Sequence, residues 1–305
     1  MSNVGDLNPD PSIIGTIAKP PFVQLPDPAR VLGKRAARLL ALAPGHQLEG
    51  YLRFLADLSD AQLRILPELP EPDMPSADVV ARAKEHAMPP LDRNAFKPNA
   101  AFDATLERLL SRAATLEMPA QAREAWDRLR TADAQARDVM IRNVLADSIP
   151  LENLAEHVFA AAALQVHFAR LAQRLDKDAL VSVGDGACPC CGAPPVASVV
   201  VGWPSAVGSR FCSCSLCGTL WNYVRARCAV CGSTDKISFQ QVDGSDGNIK
   251  AENCDVCHSY VKVLYQQTDP ALDPVADDVA SLGLDLLVRE AGYRRGAINA
   301  FLIGY

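Results

Sequence analysis

Apolar residues in the first half of the chain recur every three or four positions. Between about 186 and 270 they come instead as short β-branched and aromatic runs separated by turn residues. The segment 27–43, DPARVLGKRAARLLALA, opens with Asp27 and a proline in the first turn, a helix-start signal. In 46–66, Leu48, Leu52, Leu55 and Leu58 fall at helical spacing, with Phe54 and Leu63 beside them. Further helices are expected near 101–117, 119–131, 133–147 and 151–176. Residues 67–99 contain PELPEPDMP and MPPLDRNAFKPNA, whose prolines break helices and predict a long loop. Residues 1–26 are Pro-rich without period and are expected to run extended over the surface. After Pro274, VADDVASLGLDLLVREAGY predicts one last helix with Val279, Leu282 and Leu286 on one side. Its tail, RRGAINAFLIGY, is apolar enough to dock.

The strand-like runs are VASVVV (196–201), TLWNYV (219–224), KISFQQV (236–242) and SYVKVLY (259–265). VDGSDGNI (242–249) is a turn by composition. Trp203, Phe211, Trp221, Tyr223, Phe239, Tyr260 and Tyr265 are expected to fill small cores or face the neighbouring helices.

Cysteine placement changes the picture. All ten cysteines lie between Cys188 and Cys257. Eight form Cys-x-x-Cys pairs: Cys188/Cys191, Cys214/Cys217, Cys228/Cys231 and Cys254/Cys257. The unit C-x2-C-x22-C-x2-C is thus written twice with an offset of 40 residues. Two copies are too few for a solenoid and enough for twin modules. No signal peptide and no apolar stretch long enough for a membrane span is apparent, so the thiols are expected to stay reduced in the cytoplasm. Paired knuckles at this spacing then read as tetrahedral thiolate sites rather than disulfides. A two-residue gap lets a tight turn aim both sulfurs at one ion, and backbone N–H groups in the turn soften their charge. The residue after the second cysteine often needs positive φ. Gly192, Gly218 and Gly232 supply it in three knuckles. His258 stands there in the fourth, as a turn residue or, alternatively, as a ligand. A module of about 40 residues is too small to bury a sufficient core, so the metal is expected to be part of its fold. Cys190 and Cys212 do not follow the offset. They read as small packed side chains, or else as reactive thiols near a metal.

Four sulfurs suit iron and zinc alike, and CPCCG has the Cys-Pro-x-Cys-Gly form of both rubredoxins and zinc ribbons. Charge argues against nucleic acid as the partner. Residues 186–270 carry six Lys/Arg and six Asp/Glu, and the whole chain stands at −6. Eight thiolates on two divalent ions would add about four negative charges, where a nucleic-acid module needs a basic patch. In the helical part, His157 and His167 lack the i,i+4 spacing of helical metal sites and read as surface or core residues. Asp277 and Asp278 open a helix, which the helix dipole accounts for. No phosphate-binding loop, nucleophile elbow or zincin motif occurs, so neither catalysis nor a small-molecule substrate is expected.

The order of these pieces resembles the formate dehydrogenase accessory protein family, FdhE. The resemblance is carried by EGYLRFLADLSDAQ (49–62), CPCCG (188–192), CSLCGTLWNYVRARCAVC (214–231), AENCDVCHSYVKVLYQ (251–266), ADDVASLGLD (276–285) and GYRRGAINAFL (292–302). It covers most of the chain and is strongest from about 186 onward. Departures are the extra Cys190 and Cys212, His258, and Ala300 where proline is expected. The resemblance implies a cytoplasmic, non-enzymatic maturation factor that contacts the catalytic subunit of respiratory formate dehydrogenase. It further implies two metal ions per chain, iron favoured in rubredoxin-like sites and zinc possible. Carried over by residue, Cys188, Cys191, Cys214 and Cys217 would hold one ion, and Cys228, Cys231, Cys254 and Cys257 the other. Two other readings stay open: an iron-based electron-transfer or thiol-redox protein, and a nucleic-acid-binding zinc ribbon protein.

The expected fold is α+β. An extended segment (1–26) precedes a helical domain (27–181). Tandem four-cysteine β modules follow (186–226 and 227–270, after the linker SVGDGA), then a C-terminal helix and tail (271–305).

Overall fold

The computed structural model describes residues 20–302. Its N-terminal half is helical: α1 (Pro28–Leu42), α2 (Glu49–Ile65), α3 (Ala77–Glu85), α4 (Ala100–Ala113), α5 (Ala120–Thr131), α6 (Ala134–Leu145) and α7 (Leu154–Gln173). Starts follow capping chemistry. The Asp27 carboxylate accepts from the N–H groups of Ala29 and Arg30, and Asn99 and Asp133 cap α4 and α6 in the same way. Helix α7 is the axle of the domain. It is buried along nearly its whole length, and its Ala160–Ala163 run lets the surrounding helices approach closely. Both histidines of this helix are core residues. His157 Nδ1 lies 2.6 Å from the Asn153 carbonyl, while His167 is ringed by Phe96, Phe102 and Phe168.

Two expectations in this half are corrected. The segment 67–99 is not all loop, because α3 occupies Ala77–Glu85, with Ser76 capping Val79. The surrounding prolines end just before Ser76 and resume at Pro89, leaving room for two turns. The N-terminal segment, of which 1–19 lies outside the described residues, does more than run over the surface. Val23–Gln24 forms β1, antiparallel to Leu220–Trp221, with the Val23 side chain buried.

The remaining strands are β2 (Pro195–Val200), β3 (Arg210–Cys214), β4 (Leu220–Asn222), β5 (Ile237–Gln240), β6 (Ile249–Cys254), β7 (Ser259–Leu264) and β8 (Arg294–Arg295). Each cysteine unit makes an antiparallel three-stranded sheet, β2–β3–β4 and β5–β6–β7. The two do not stay apart. Strands β2 and β7 pair in parallel, Ser198 opposite Val263 and Val199 opposite Leu264, giving one eight-stranded sheet in the order β1-β4-β3-β2-β7-β6-β5, with β8 beside β7. Both central strands are buried at every position, as expected of strands covered on both faces. A buried ion pair crosses the seam: Arg210 Nη1 of β3 donates to Glu252 Oε2 of β6 at 2.9 Å. At the outer edge, β5 is largely solvent-exposed, and Phe239 faces water rather than a core.

The last helix is two short ones, α8 (Ala276–Ala280) and α9 (Leu282–Glu290). The break lies at Ser281, where the Lys262 ammonium donates to the Asp278 and Ser281 carbonyls and to Ser281 Oγ. A side chain inserted into a carbonyl ladder is a recognised cause of such a kink. The kink turns the predicted face. Leu286 is exposed, and Leu284, Asp285 and Val288 face inward instead. Asp277 and Asp278 do more than favour a helix dipole. Asp277 pairs with Arg38 of α1, and Asp278 is buried between Lys262 and Arg295. The described part of the tail does dock, burying Ala297, Phe301 and Leu302, and Tyr51 donates to the Phe301 carbonyl at 2.7 Å.

Candidate metal centres

The spacing of each cysteine unit places two knuckles against each other. In the first unit the chain reverses after Cys191. The Gly192 N–H donates to the Cys188 carbonyl and the Cys188 N–H to the Ala193 carbonyl. The second unit repeats this, with Gly232 donating to Cys228 and Cys228 to the Ser233 carbonyl. Gly192, Gly218 and Gly232 have φ of +75°, +74° and +74°, and His258 has +51°. All four knuckles therefore need the left-handed conformation that the sequence implies. His258 supplies a turn, while the four sulfurs of its cluster come from cysteines.

The structure brings together Cys188, Cys191, Cys214 and Cys217 in one cluster and Cys228, Cys231, Cys254 and Cys257 in another. In the first, the sulfurs of Cys191 and Cys214 are 3.4 Å apart, and Cys217 lies 3.6 Å from both Cys188 and Cys191. In the second, Cys228–Cys257 and Cys231–Cys254 measure 3.7 and 3.8 Å. A disulfide would hold its sulfurs at about 2.05 Å. Four sulfurs at roughly 2.3 Å from a central ion have tetrahedral edges of about 3.8 Å, which the observed distances approach. Backbone donors aim at one sulfur in each cluster. Leu216 and Cys217 N–H point at Cys214 Sγ (3.4 and 3.3 Å), and Val230 and Cys231 N–H at Cys228 Sγ (3.3 and 3.5 Å).

Electrostatics adds a second test of fit. Burial pushes the Cys188 and Cys191 thiols far above the usual range. Burial opposes ionisation of Cys217 as well. Its thiolate is nevertheless held well below that range by hydrogen bonds from Cys188, Cys190, Cys191 and Cys214. One divalent ion held by Cys188, Cys191, Cys214 and Cys217 would compensate the charge of four buried thiolates together. Each cluster could hold one metal ion.

The first cluster is sealed by parts of the chain far from it in sequence. Leu91 and Arg93 N–H donate to the Cys190 and Cys191 carbonyls at 2.9 and 3.1 Å, and Pro89 packs over Gly192. Gln165 of α7 donates to the Ser215 carbonyl at 3.0 Å and accepts from Arg35 at 2.9 Å. Cys188, Cys191 and Cys217 are 0 % exposed and Cys214 is 3 % exposed. In the second cluster Cys228 and Cys254 are buried, Cys257 is half-buried and Cys231 is exposed. Cys190 and Cys212 are fully buried, near Thr219 and Ser198 respectively. They are packed side chains, closed to an attacking thiol in the folded chain by their burial. Sequence reasoning missed Arg210 and Glu252. Two opposite charges in a region (186–270) with only six of each sign were the available signal, but their pairing depends on the β2–β7 seam.

Family models for the N-terminal, central and C-terminal domains of FdhE match residues 20–185, 187–225 and 226–302. A protein FdhE homolog from Rhizobium meliloti (strain 1021) is 47 % identical over 305 residues, 99 % of this chain and 100 % of that protein. Another, from Stutzerimonas stutzeri, is 36 % identical and covers 93 % of each chain. The crystal structure of the FdhE protein from Pseudomonas aeruginosa superposes with a TM-score of 0.83 at 31 % identity, over 93 % of this chain and 99 % of that one. With every described part of the fold accounted for by these matches, the chain belongs to the FdhE family.

Proposed function

We propose that this chain is a cytoplasmic maturation factor for respiratory formate dehydrogenase, which it serves by contacting the catalytic subunit rather than by catalysing a reaction. In this reading the eight paired cysteines bind two ions, with iron in rubredoxin-like sites favoured for both and zinc as the alternative. In the same reading the chain divides into a helical domain (27–181), two cysteine modules (186–226 and 227–270) and a C-terminal part (271–305). The observation that carries the reading is the pair of four-sulfur clusters at near-tetrahedral spacing in a chain of this family. Among the described residues no helix is long and apolar enough to cross a membrane.

Of the six Lys/Arg in the cysteine region, Arg210 and Lys262 are buried in ion pairs with carboxylates and are withdrawn from any phosphate backbone. Thiol exchange at Cys190 or Cys212 is opposed by their burial. The test is a strain lacking this chain and any second copy. Formate dehydrogenase activity is expected to be lost and to return with the wild-type chain. The catalytic subunit is expected to co-purify with it before export. Full activity in the deleted strain would sink the proposal.

A further inference from the structure

We propose that the second cluster is an exchange site. Its ion enters, leaves or is replaced in the folded protein through the surface edge formed by Cys231 and Cys257, while the first cluster keeps its ion until the domain opens. The inference rests on the reading that both clusters hold metal.

The observations are a contrast between two sites of one design. Spacing, knuckle turns and positive-φ positions match, and the sulfur separations are similar, 3.4 to 3.6 Å in one and 3.7 to 3.8 Å in the other. Access does not. All four sulfurs of the first cluster belong to buried residues, and its outer side is closed by the 88–93 segment, by Gln165 and by the Pro26–Val31 region against Gly218. The second cluster is backed on its inner side by the tail, where Arg294 N–H donates to the His258 carbonyl at 2.9 Å and Gly296 N–H to the Tyr260 carbonyl at 2.9 Å. Its outer side has no comparable cover. Cys231, Asp255, Val256 and His258 are exposed, and the Asp185–Arg227 pair over Gly232 is itself more than one-third exposed.

Exchange at a four-thiolate site begins when an entering ligand reaches the ion from the side of an accessible donor. At the second cluster that donor is Cys231. An ion held here would be reached first beside Cys231 Sγ, whose thiolate, once displaced by an incoming thiolate or chelating group, would take a proton from water; Cys257, Cys228 and Cys254 would follow, and no oxidant would be needed. At the first cluster every such approach requires the covering segments to open first, so release is governed by local unfolding. The chemistry fits a donor or acceptor presenting thiolates or a multidentate nitrogen–oxygen chelate.

The test uses the full-length, zinc-loaded protein. Acid digestion counts the ions, and two per chain are expected. Native protein is then mixed with excess 4-(2-pyridylazo)resorcinol in reducing buffer. One equivalent is expected in a fast phase and the second at least about 100-fold more slowly, because it waits on opening. Iodoacetamide added after the fast phase should label Cys231 and Cys257 and spare Cys188, Cys191, Cys214 and Cys217. The Cys231→Ser variant is expected to lose or accelerate only the fast phase. Release of both ions at one rate, or early labelling of Cys188, Cys191, Cys214 or Cys217, would overturn the exchange proposal. Digestion yielding no ion would overturn the metal reading beneath it, which is a distinct result.

Discussion

The two cysteine clusters are written with the same spacing and close to nearly the same geometry, yet one lies in the protein interior and the other at the surface. Short-range chemistry accounts for what they share. A two-residue gap, a positive-φ residue and N–H groups turned toward a sulfur are all local, so a repeat in sequence becomes a repeat in structure. What separates them comes from elsewhere in the chain. The first cluster borrows Leu91, Arg93, Gln165 and β1 from the helical half, and the second borrows the tail, the linker's Asp185 and Tyr223, none of which covers Cys231. Ligand identity is therefore encoded within each unit, and ligand accessibility outside it.

The contrast can be broken by removing one ligand from each cluster. Cys217→Ala strikes the sealed site. Structural four-ligand sites contribute about 10 kcal/mol or more, comparable to the whole stability of a domain, so this variant is expected not to fold at 37 °C. Cys231→Ala leaves three ligands and an open position that water can fill, and is expected to cost about 1–3 kcal/mol. Thermal unfolding monitored by circular dichroism checks both. Equal losses would show that exposure does not set the energetic role of a ligand.

A loss between those two is expected at the seam that makes one sheet of two units. Arg210→Met leaves the Glu252 carboxylate buried without its partner, which costs about 3–5 kcal/mol. Burial already pushes the Glu252 carboxyl upward despite the arginine beside it. The double variant Arg210→Met/Glu252→Leu is expected to regain most of the loss in urea unfolding. If it does not, the pair holds the units together by more than charge.

The smallest effect is on pH dependence, and it touches the cover of the first cluster alone. His167 packs 5.5 Å from Phe96, whose segment supplies the Leu91 and Arg93 contacts. Burial lowers its pKa from 6.5 to about 4. Between those values the unfolded chain takes up a proton that the folded chain refuses, so stability falls as pH drops through the window. The expected loss from pH 7 to pH 5 is roughly 2 kcal/mol. His167→Phe should flatten that part of the urea-midpoint profile, and an unchanged slope would assign the acid sensitivity to other groups.

How far the sequence could be read follows the same division. Helix starts at Asp27, Asn99 and Asp133 and the four knuckles are local signals, and all could be placed in advance or nearly so. The β3 and β6 strands were harder, because RFCSC and IKAENC have no strong apolar run and become buried only through their neighbours. The break at Ser281 was invisible, since it depends on Lys262 reaching in from β7. The burial of Asp277 and Asp278 depends likewise on Arg38, Lys262 and Arg295, three residues scattered along the chain. The exposure of Cys231 carries no signal in its own unit, where it occupies the place that Cys191 holds in the other.

The parallel pairing of β2 with β7 has a consequence for a chain as it is being made. Pro195–Val200 emerges from the ribosome well before Ser259–Leu264, and until then one side of an apolar, β-branched strand has no neighbour. A bare strand edge of that composition is a template for joining other chains. A polypeptide truncated after the first cysteine unit is thus left with its sheet unfinished at the centre rather than at the rim. It should be prone to clump even with its four sulfurs in place, because the strand that protects it is translated only later.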